Sequence, residues 1–217
     1  MAPELRPHTL LRIAAAEVLR YDTPPPDWVS RALGLAPWVV VRRGAPREDG
    51  MIPVGARGAV RSERCAAWLR SCDVLGALDP PELAARRAWR AQRRCAEVPA
   101  LAALAGVEEI MRVAGLGSCW GPTGSVGFEL ASGTATATPA SDLDLMVRAD
   151  QPLERAAAVA LLAEFTSLPV RVDALLETPR GAVALAEYAA AAQRVVLRTA
   201  SGSGWVADPW APGAATA

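Results

Sequence analysis

Gly121-Pro-Thr-Gly124-Ser125-Val-Gly-Phe-Glu-Leu130, followed by Ser141-Asp142-Leu143-Asp144-Leu145, is the stretch on which the fold turns. A run of small residues comes first. Two aspartates one residue apart then sit inside an apolar run. Side chains alternate across a strand with period two. Asp142, Asp144 and Met146 therefore share one face, and Leu143, Leu145 and Val147 share the other, a core face. The acidic face sets two carboxylates about 6–7 Å apart at Cα, from the rise per residue. Bare carboxylates about 4 Å apart repel by about 4 kcal/mol at a protein-like effective dielectric. A metal, a proton or an arginine must offset that, and Mg²⁺ completed by substrate phosphates is the usual solution.

A third carboxylate fits the same pattern. In Val170-Arg171-Val172-Asp173-Ala174-Leu175, Arg171 and Asp173 face away from Val170, Val172 and Ala174. If this strand neighbours Asp142–Val147, Asp173 joins the pair, where it is placed to take a proton from an attacking hydroxyl or to position it. Arg171 then neutralises excess charge. Gly124-Ser125 is the remaining part. Glycine lets backbone approach phosphate closely, and amides and a serine hydroxyl donate to it. No lysine follows as in a Walker loop, and the glycine spacing is not that of a dinucleotide fingerprint. Asp-x-Asp alone also fits a solvated turn. The leucine alternation, the upstream Gly-Ser and the downstream Asp173 together favour a phosphotransfer site.

The rest of the chain of 217 residues bounds this reading. Lys+Arg and Asp+Glu number 23 each, so net charge points to neither a nucleic-acid nor a membrane partner. Every basic residue other than the single histidine is arginine, so a phosphate held by a cation is held by a planar guanidinium with permanent charge. Cys65, Cys72, Cys95 and Cys119 are irregularly spaced and His8 is remote, which argues against zinc. The cysteines read as buried small residues in a reducing compartment. The apolar run 10–19 is interrupted by Arg12 and Glu17 and is too short for a signal or a membrane span, so a cytoplasmic protein is expected.

Periodicity predicts helices over 9–20, 28–35, 62–69, 81–96, 99–114, 151–165 and 181–193. It predicts strands over 38–41, 51–54, 142–147, 170–176 and 195–199. Gly55 and Gly58 bracket Arg57 as a tight loop, 133–140 reads as a flexible loop or hairpin, and 201–204 as a turn. Asp79-Pro-Pro81 is the best boundary signal, an Asp cap before proline at a helix start. It divides an N-terminal α/β domain, 1–79, from a catalytic domain, 80–217. Arg57, Arg61 and Arg64 form either a phosphate patch or a solvated face. Trp205 and Trp210 either stack on an adenine or dock a tail. Alternating strands and helices give an α+β fold with a mixed sheet flanked by helices.

Gly124-Ser125 with Ser141-Asp142-Leu143-Asp144-Leu145, and Asp173 later, resembles the signature of the nucleotidyltransferase superfamily. The longer stretch Thr123–Ala131 to Leu145 is similar to one branch, the phosphoribosyl-dephospho-CoA transferases of malonate decarboxylase. Trp38–Arg43, Val54-Gly55, Val172–Glu177, Gly181 and Glu187-Tyr188 extend the resemblance over most of the chain. The resemblance implies a nucleotidyltransferase-like sheet and transfer of a prosthetic group from 2′-(5″-triphosphoribosyl)-3′-dephospho-CoA to a serine of the malonate decarboxylase acyl carrier protein, with release of pyrophosphate. It implies Asp142 and Asp144 as catalytic aspartates holding Mg²⁺, Gly124 and Ser125 on the leaving phosphates, and Asp173 as third carboxylate. Residues 1–79 are expected to help bind donor or carrier. An ATP-dependent nucleotidyltransferase and a non-catalytic carrier-binding scaffold are the alternative readings.

Overall fold

A computed structural model describes residues 5–211, apart from positions 46, 48, 61 and 192. The N-terminal part is a five-stranded antiparallel sheet with the order β4-β3-β2-β1-β5. Its strands are β1 (Leu10–Arg12), β2 (Trp38–Val41), β3 (Ile52–Arg57), β4 (Arg64–Leu69) and β5 (Gly76–Leu78). Helix α1 (Trp28–Leu35) covers one face, where Val29 and Leu33 join a core with Leu11, Val39, Val54 and Leu69. The other face carries the cross-strand row Leu78, Leu10, Val40, Gly55 and Ala66.

Several expectations are corrected here. Residues 9–20 are not a helix: β1 lies between β2 and β5, and a short 3₁₀ turn, Ala16–Val18, follows it. Both faces of β1 are covered, so its apolar run shows no strand alternation. Segment 62–69 is also a strand, paired with β3 from Ile52↔Leu69 to Arg57↔Arg64. Tertiary pairing overrides its alanine-rich propensity. Gly55 and Arg57 belong to β3 and not to a loop. With these changes the N-terminal part is an antiparallel sheet with one helix, and not an alternating α/β unit.

The second sheet has six strands in the order β11-β10-β9-β8-β7-β6. They are β6 (Trp120–Pro122), β7 (Leu143–Arg148), β8 (Val172–Thr178), β9 (Gly181–Ala184), β10 (Val195–Thr199) and β11 (Gly202–Val206). Only β7 and β8 pair in parallel, joined through helix α6 (Arg155–Phe165), so the sheet is mixed and the fold is α+β. The predicted helix 181–193 opens as β9, and α7 occupies only Leu185–Ala190. A Cβ on Gly181 would meet the Arg198 carbonyl oxygen at 2.3 Å, so glycine permits the close β9–β10 approach. The predicted turn 201–204 extends into β11.

The long helix expected over 81–96 is α2 (Pro80–Arg86) followed by two 3₁₀ turns, after Arg87 takes a left-handed conformation at φ 51°. Asp79 stands at its N-cap position without a side-chain cap. Its carboxylate instead accepts from Arg148 Nη2 at 2.7 Å and Thr9 Oγ1 at 3.3 Å. The next predicted helix is two, α3 (Pro99–Ala102) and α4 (Leu104–Val113), whose Leu101, Leu104, Val107 and Met111 enter the main core. None of the four cysteines is buried: Cys72 is exposed and the others are half-buried, all with free thiols. Trp210 is docked on the sheet, donating to Ala149 O at 2.6 Å and meeting Tyr188 edge-on at 5.3 Å. Trp205 is exposed on β11. Among the described residues, no helix is long and apolar enough to cross a membrane.

A partly buried ionic clamp joins the two sheets. Glu177 on β8 receives Arg43 Nη2 and lies 3.4 Å from His8 Nε2. Burial pushes the Glu177 carboxyl up, but the His8 hydrogen bond and the Arg43 charge outweigh it and hold the group below its ordinary range. A depressed carboxylate pKa contributes stability above the unfolded-state value, and that stability is lost as pH falls through the folded value. We expect Glu177→Gln to lower stability at pH 7 by about 1.5–3 kcal/mol. We also expect it to flatten the acid limb below about pH 4.3. Urea denaturation across pH 3–7 measures both, and equal acid sensitivity in the two proteins would contradict the clamp.

Candidate functional site

The site begins with strand register. In the parallel pair β7–β8, Asp144 stands opposite Asp173. Register partners project to the same side, so the two carboxylates share one sheet face about 4.8 Å apart at Cα. Asp142 precedes β7, and the ladder reaches back to its level through Leu143 N donating to Arg171 O at 2.9 Å. Arg171 is the counter-charge. Its Nη2 lies 2.9 Å from Asp173 Oδ1. That hydrogen bond and the Asp173 charge, with smaller contributions from Asp142 and Asp144, raise the arginine pKa further. One guanidinium thus bonds Asp173 and interacts electrostatically with all three aspartates.

Gly124 is the second element. It opens helix α5 (Gly124–Ser132) at φ +57°, in the left-handed region. A Cβ there would lie 1.9 Å from Asp144 Oδ2. The missing side chain is the space in which the Asp144 carboxylate rests against the first turn of the helix. Thr123 N donates to Asp144 O at 2.9 Å, which ties that turn to β7. A helix leaves its first amides without intrahelical acceptors, and its N-terminus favours anions.

A cleft of about 870 Å³ lies between the two sheets, lined by Thr123, Gly124, Asp144 and Asp173 on one wall. Ser125 and Asp142 lie off that lining. Ser125 is buried at 9% exposure, and its hydroxyl donates to Ser141 Oγ at 3.5 Å. The structure therefore brings Gly124, Asp144 and Asp173 onto the cleft, while Ser125 and Asp142 stand outside its lining. Arg57 and Arg64 also line the cleft, while Arg61 lies outside the described residues.

Sequence reasoning missed the fastening of the loop that delivers Asp142. Glu129 of α5 is 1% exposed. It accepts from Arg94 Nη1 and, at 2.9 Å each, from the amides of Thr136 and Ala137. Burial pushes its carboxyl up, yet these donors and the arginine charge carry it below the ordinary range. Thr136 Oγ1 also donates to Ser125 O at 2.8 Å, and Thr138 N to Ser141 Oγ at 2.9 Å. Segment 133–140 is irregular but pinned. A glutamate in a helical stretch ordinarily reads as solvated, so only the Thr134/Thr136/Thr138 alternation hinted at this role.

The oxygen donors suit a hard cation. Among the described residues, no three His, Cys, Asp or Glu side chains form a metal cage. One or two carboxylates completed by phosphate oxygens is the arrangement Mg²⁺ takes, and Asp144 beside a helix N-terminus fits it.

Comparison with known proteins gives the family. The phosphoribosyl-dephospho-CoA transferase MdcG N-terminal domain matches residues 6–80, and the corresponding C-terminal domain matches residues 82–209. The chain belongs to the phosphoribosyl-dephospho-CoA transferase family. Proteins of that name are 42% identical over 206 residues in Azotobacter vinelandii, covering 94% of each chain. In Pseudomonas putida one is 41% identical over 208 residues, covering 95% of each. A Klebsiella pneumoniae protein is 36% identical over 163 residues, covering 75% of this chain and 76% of its own. No solved structure gives a significant match. As a phosphoribosyl-dephospho-CoA transferase, the chain is an enzyme of group transfer.

Gly124→Ala places a methyl group into the Asp144 carboxylate. Displacing a reacting group by about 1 Å costs on the order of a hundredfold in rate, and transferase activity should fall at least that far. Gly133→Ala is the control, since Gly133 shares the left-handed φ of +73° but has nothing within 4 Å of a Cβ. Comparable activity in the two variants, assayed side by side, would remove Gly124 from the site.

Proposed function

We propose that this transferase moves the phosphoribosyl-dephospho-CoA group from 2′-(5″-triphosphoribosyl)-3′-dephospho-CoA to a serine hydroxyl of the malonate decarboxylase acyl carrier protein. The observation that carries the reading is the in-register Asp144–Asp173 pair beside the N-terminus of α5. The serine oxygen forms a bond to the α-phosphorus. The bond from that phosphorus to its bridging oxygen breaks, and pyrophosphate leaves. The hydroxyl proton passes to Asp173, whose other role is to orient the acceptor. Gly124 and the first amides of α5 hold the leaving phosphates, with Ser125 supporting that turn through Ser141. Asp142 and Asp144 would hold Mg²⁺, which when bound neutralises polyphosphate charge. Arg171 balances the remaining carboxylate charge. Phosphoryl transfer depends on positioning and charge neutralisation more than on a reactive side chain, which suits a site without histidine or lysine beside the aspartates.

On this reading residues 80–217 form a nucleotidyltransferase-like catalytic domain, and residues 1–79 form a domain that binds donor or carrier. Four free thiols favour a reducing, cytoplasmic setting.

Mass spectrometry of the carrier after incubation with the protein, donor and Mg²⁺ tests this reading. The carrier should gain the phosphoribosyl-dephospho-CoA mass. Asp144→Asn should reduce the rate by at least about a thousandfold, in the range seen when a charge-stabilising group is removed. Modification from labelled ATP and not from the triphosphoribosyl donor would reassign the protein to ATP-dependent transfer. Full activity of Asp144→Asn would sink the site.

A further inference from the structure

The cleft also has a basic lining. Arg42, Arg57 and Arg64 reach it from the N-terminal sheet, and Arg198 reaches it from β10. Among the described residues of the lining, these four arginines stand against two aspartates, in a chain whose formal net charge is zero. Arg57 and Arg64 are cross-strand partners, so both guanidiniums rise from one register position on one face. Like charges placed directly opposite disfavour each other in a sheet. Arg64 Nη1 donates to the carbonyl oxygens of Val60 and Glu63 at 3.4 and 3.0 Å, which orients the group.

Gly55 completes the arrangement. It stands two residues before Arg57 on the same face, and a Cβ there would lie 3.3 Å from Arg42 Cδ and 3.5 Å from Arg42 Cγ. The bare backbone lets the Arg42 stem lie back across β3. Arg198 shares the sheet face of Asp173 but stands two strands away, at the level of Glu177. That is roughly 10 Å across the sheet and 13 Å along it from Asp173. The Arg198 Nη1 atom is buried and has no hydrogen-bond partner among the described residues. A buried donor left unsatisfied costs free energy that a phosphate oxygen would recover.

We infer that Arg42, Arg57, Arg64 and Arg198 form a second anion subsite, separate from the aspartates, which takes the diphosphate of the dephospho-CoA arm. This rests on the donor assigned under Proposed function, in which two ribose rings separate the reacting triphosphate from that diphosphate. One cleft with carboxylates on one sheet and arginines mainly from the other matches a ligand with two separated phosphate groups. The carboxylates take theirs through a cation, and the arginines take theirs directly and bidentately.

Calorimetric titration of the full chain tests this with two ligands, dephospho-CoA and inorganic tripolyphosphate with Mg²⁺. Arg64→Ala and Arg57→Lys should each weaken dephospho-CoA by about tenfold or more, the loss expected for a charge-assisted hydrogen bond. Tripolyphosphate affinity should stay within twofold. Gly55→Val, which lifts Arg42 off the sheet, should weaken dephospho-CoA in the same sense. Arg64 and Arg42 are exposed, so Arg64→Ala and Arg42→Ala should keep the wild-type melting profile and remain informative if another variant fails to fold. Equal loss of both ligands in the arginine variants would mean one shared polyphosphate site and would overturn the subsite. Unchanged dephospho-CoA affinity with impaired carrier loading would assign these arginines to an acidic protein surface, and would overturn the subsite too. Asp144→Asn separates the subsite from the parent reading. It should lose tripolyphosphate–Mg²⁺ and keep dephospho-CoA. Retained tripolyphosphate binding in that variant would count against the aspartates alone, leaving the arginine result to stand.

Discussion

The parallel register that sets Asp144 against Asp173 is the constraint around which the rest of the molecule is arranged. Two carboxylates at one register position repel, by about 4 kcal/mol at 4 Å and a protein-like dielectric. The fold answers from two sides. Arg171, two residues before Asp173 on the same strand face, bonds it directly. The N-terminus of α5 meets Asp144 from the other side, and the helix dipole favours negative charge there. That approach is possible only because residue 124 has no side chain and accepts a left-handed conformation. The glycine is thus set by the aspartate, and the aspartate by the pairing of two strands.

The parts of this arrangement that are local in sequence were legible there. Leu143, Leu145 and Val147 fill the core while Asp144 faces the cleft, and β8 repeats the pattern with Ala174 and Leu176 against Asp173. One dry face and one wet face give a clean period of two. Where both faces of a strand are covered the period disappears, and β1 then resembles a helix. The alanine-rich β4 misleads for a different reason, because a long-range ladder to β3 decides its conformation. The same division holds in the site. Gly124, Asp144 and Asp173 were readable from spacing and alternation. The position of Ser125 outside the lining was not, since it follows from the direction in which α5 leaves its first turn. Glu129 was invisible because its partners, Arg94 and the 136–137 amides, come from other segments of the chain.

The two sheets are not independent of each other. Glu177, at the far end of the strand that carries Asp173, is held by His8 and Arg43 from the N-terminal part. Asp79, at the entrance to α2, is held by Arg148 at the far end of the strand that carries Asp144. Each strand thus presents an aspartate to the cleft at its start and an inter-sheet ion pair at its finish. The clamp residues are polar and partly buried, so their value lies in setting a unique orientation as much as in net stability.

Helix α5 makes the coupling tighter still. Val126, in its first turn, enters the core of the six-stranded sheet. Phe128 and Ala131, further along, pack with Leu10, Ala36 and Trp38 from the N-terminal part. A nine-residue helix is about 13 Å long and behaves as one rigid body over that distance. Its first residue touches the Asp144 carboxylate while its second half is seated under the other sheet. A shift of the N-terminal sheet that moves Phe128 must therefore tilt the turn at Gly124. The N-terminal sheet is, by this linkage, a structural part of the aspartate site as well as a contributor to the cleft lining.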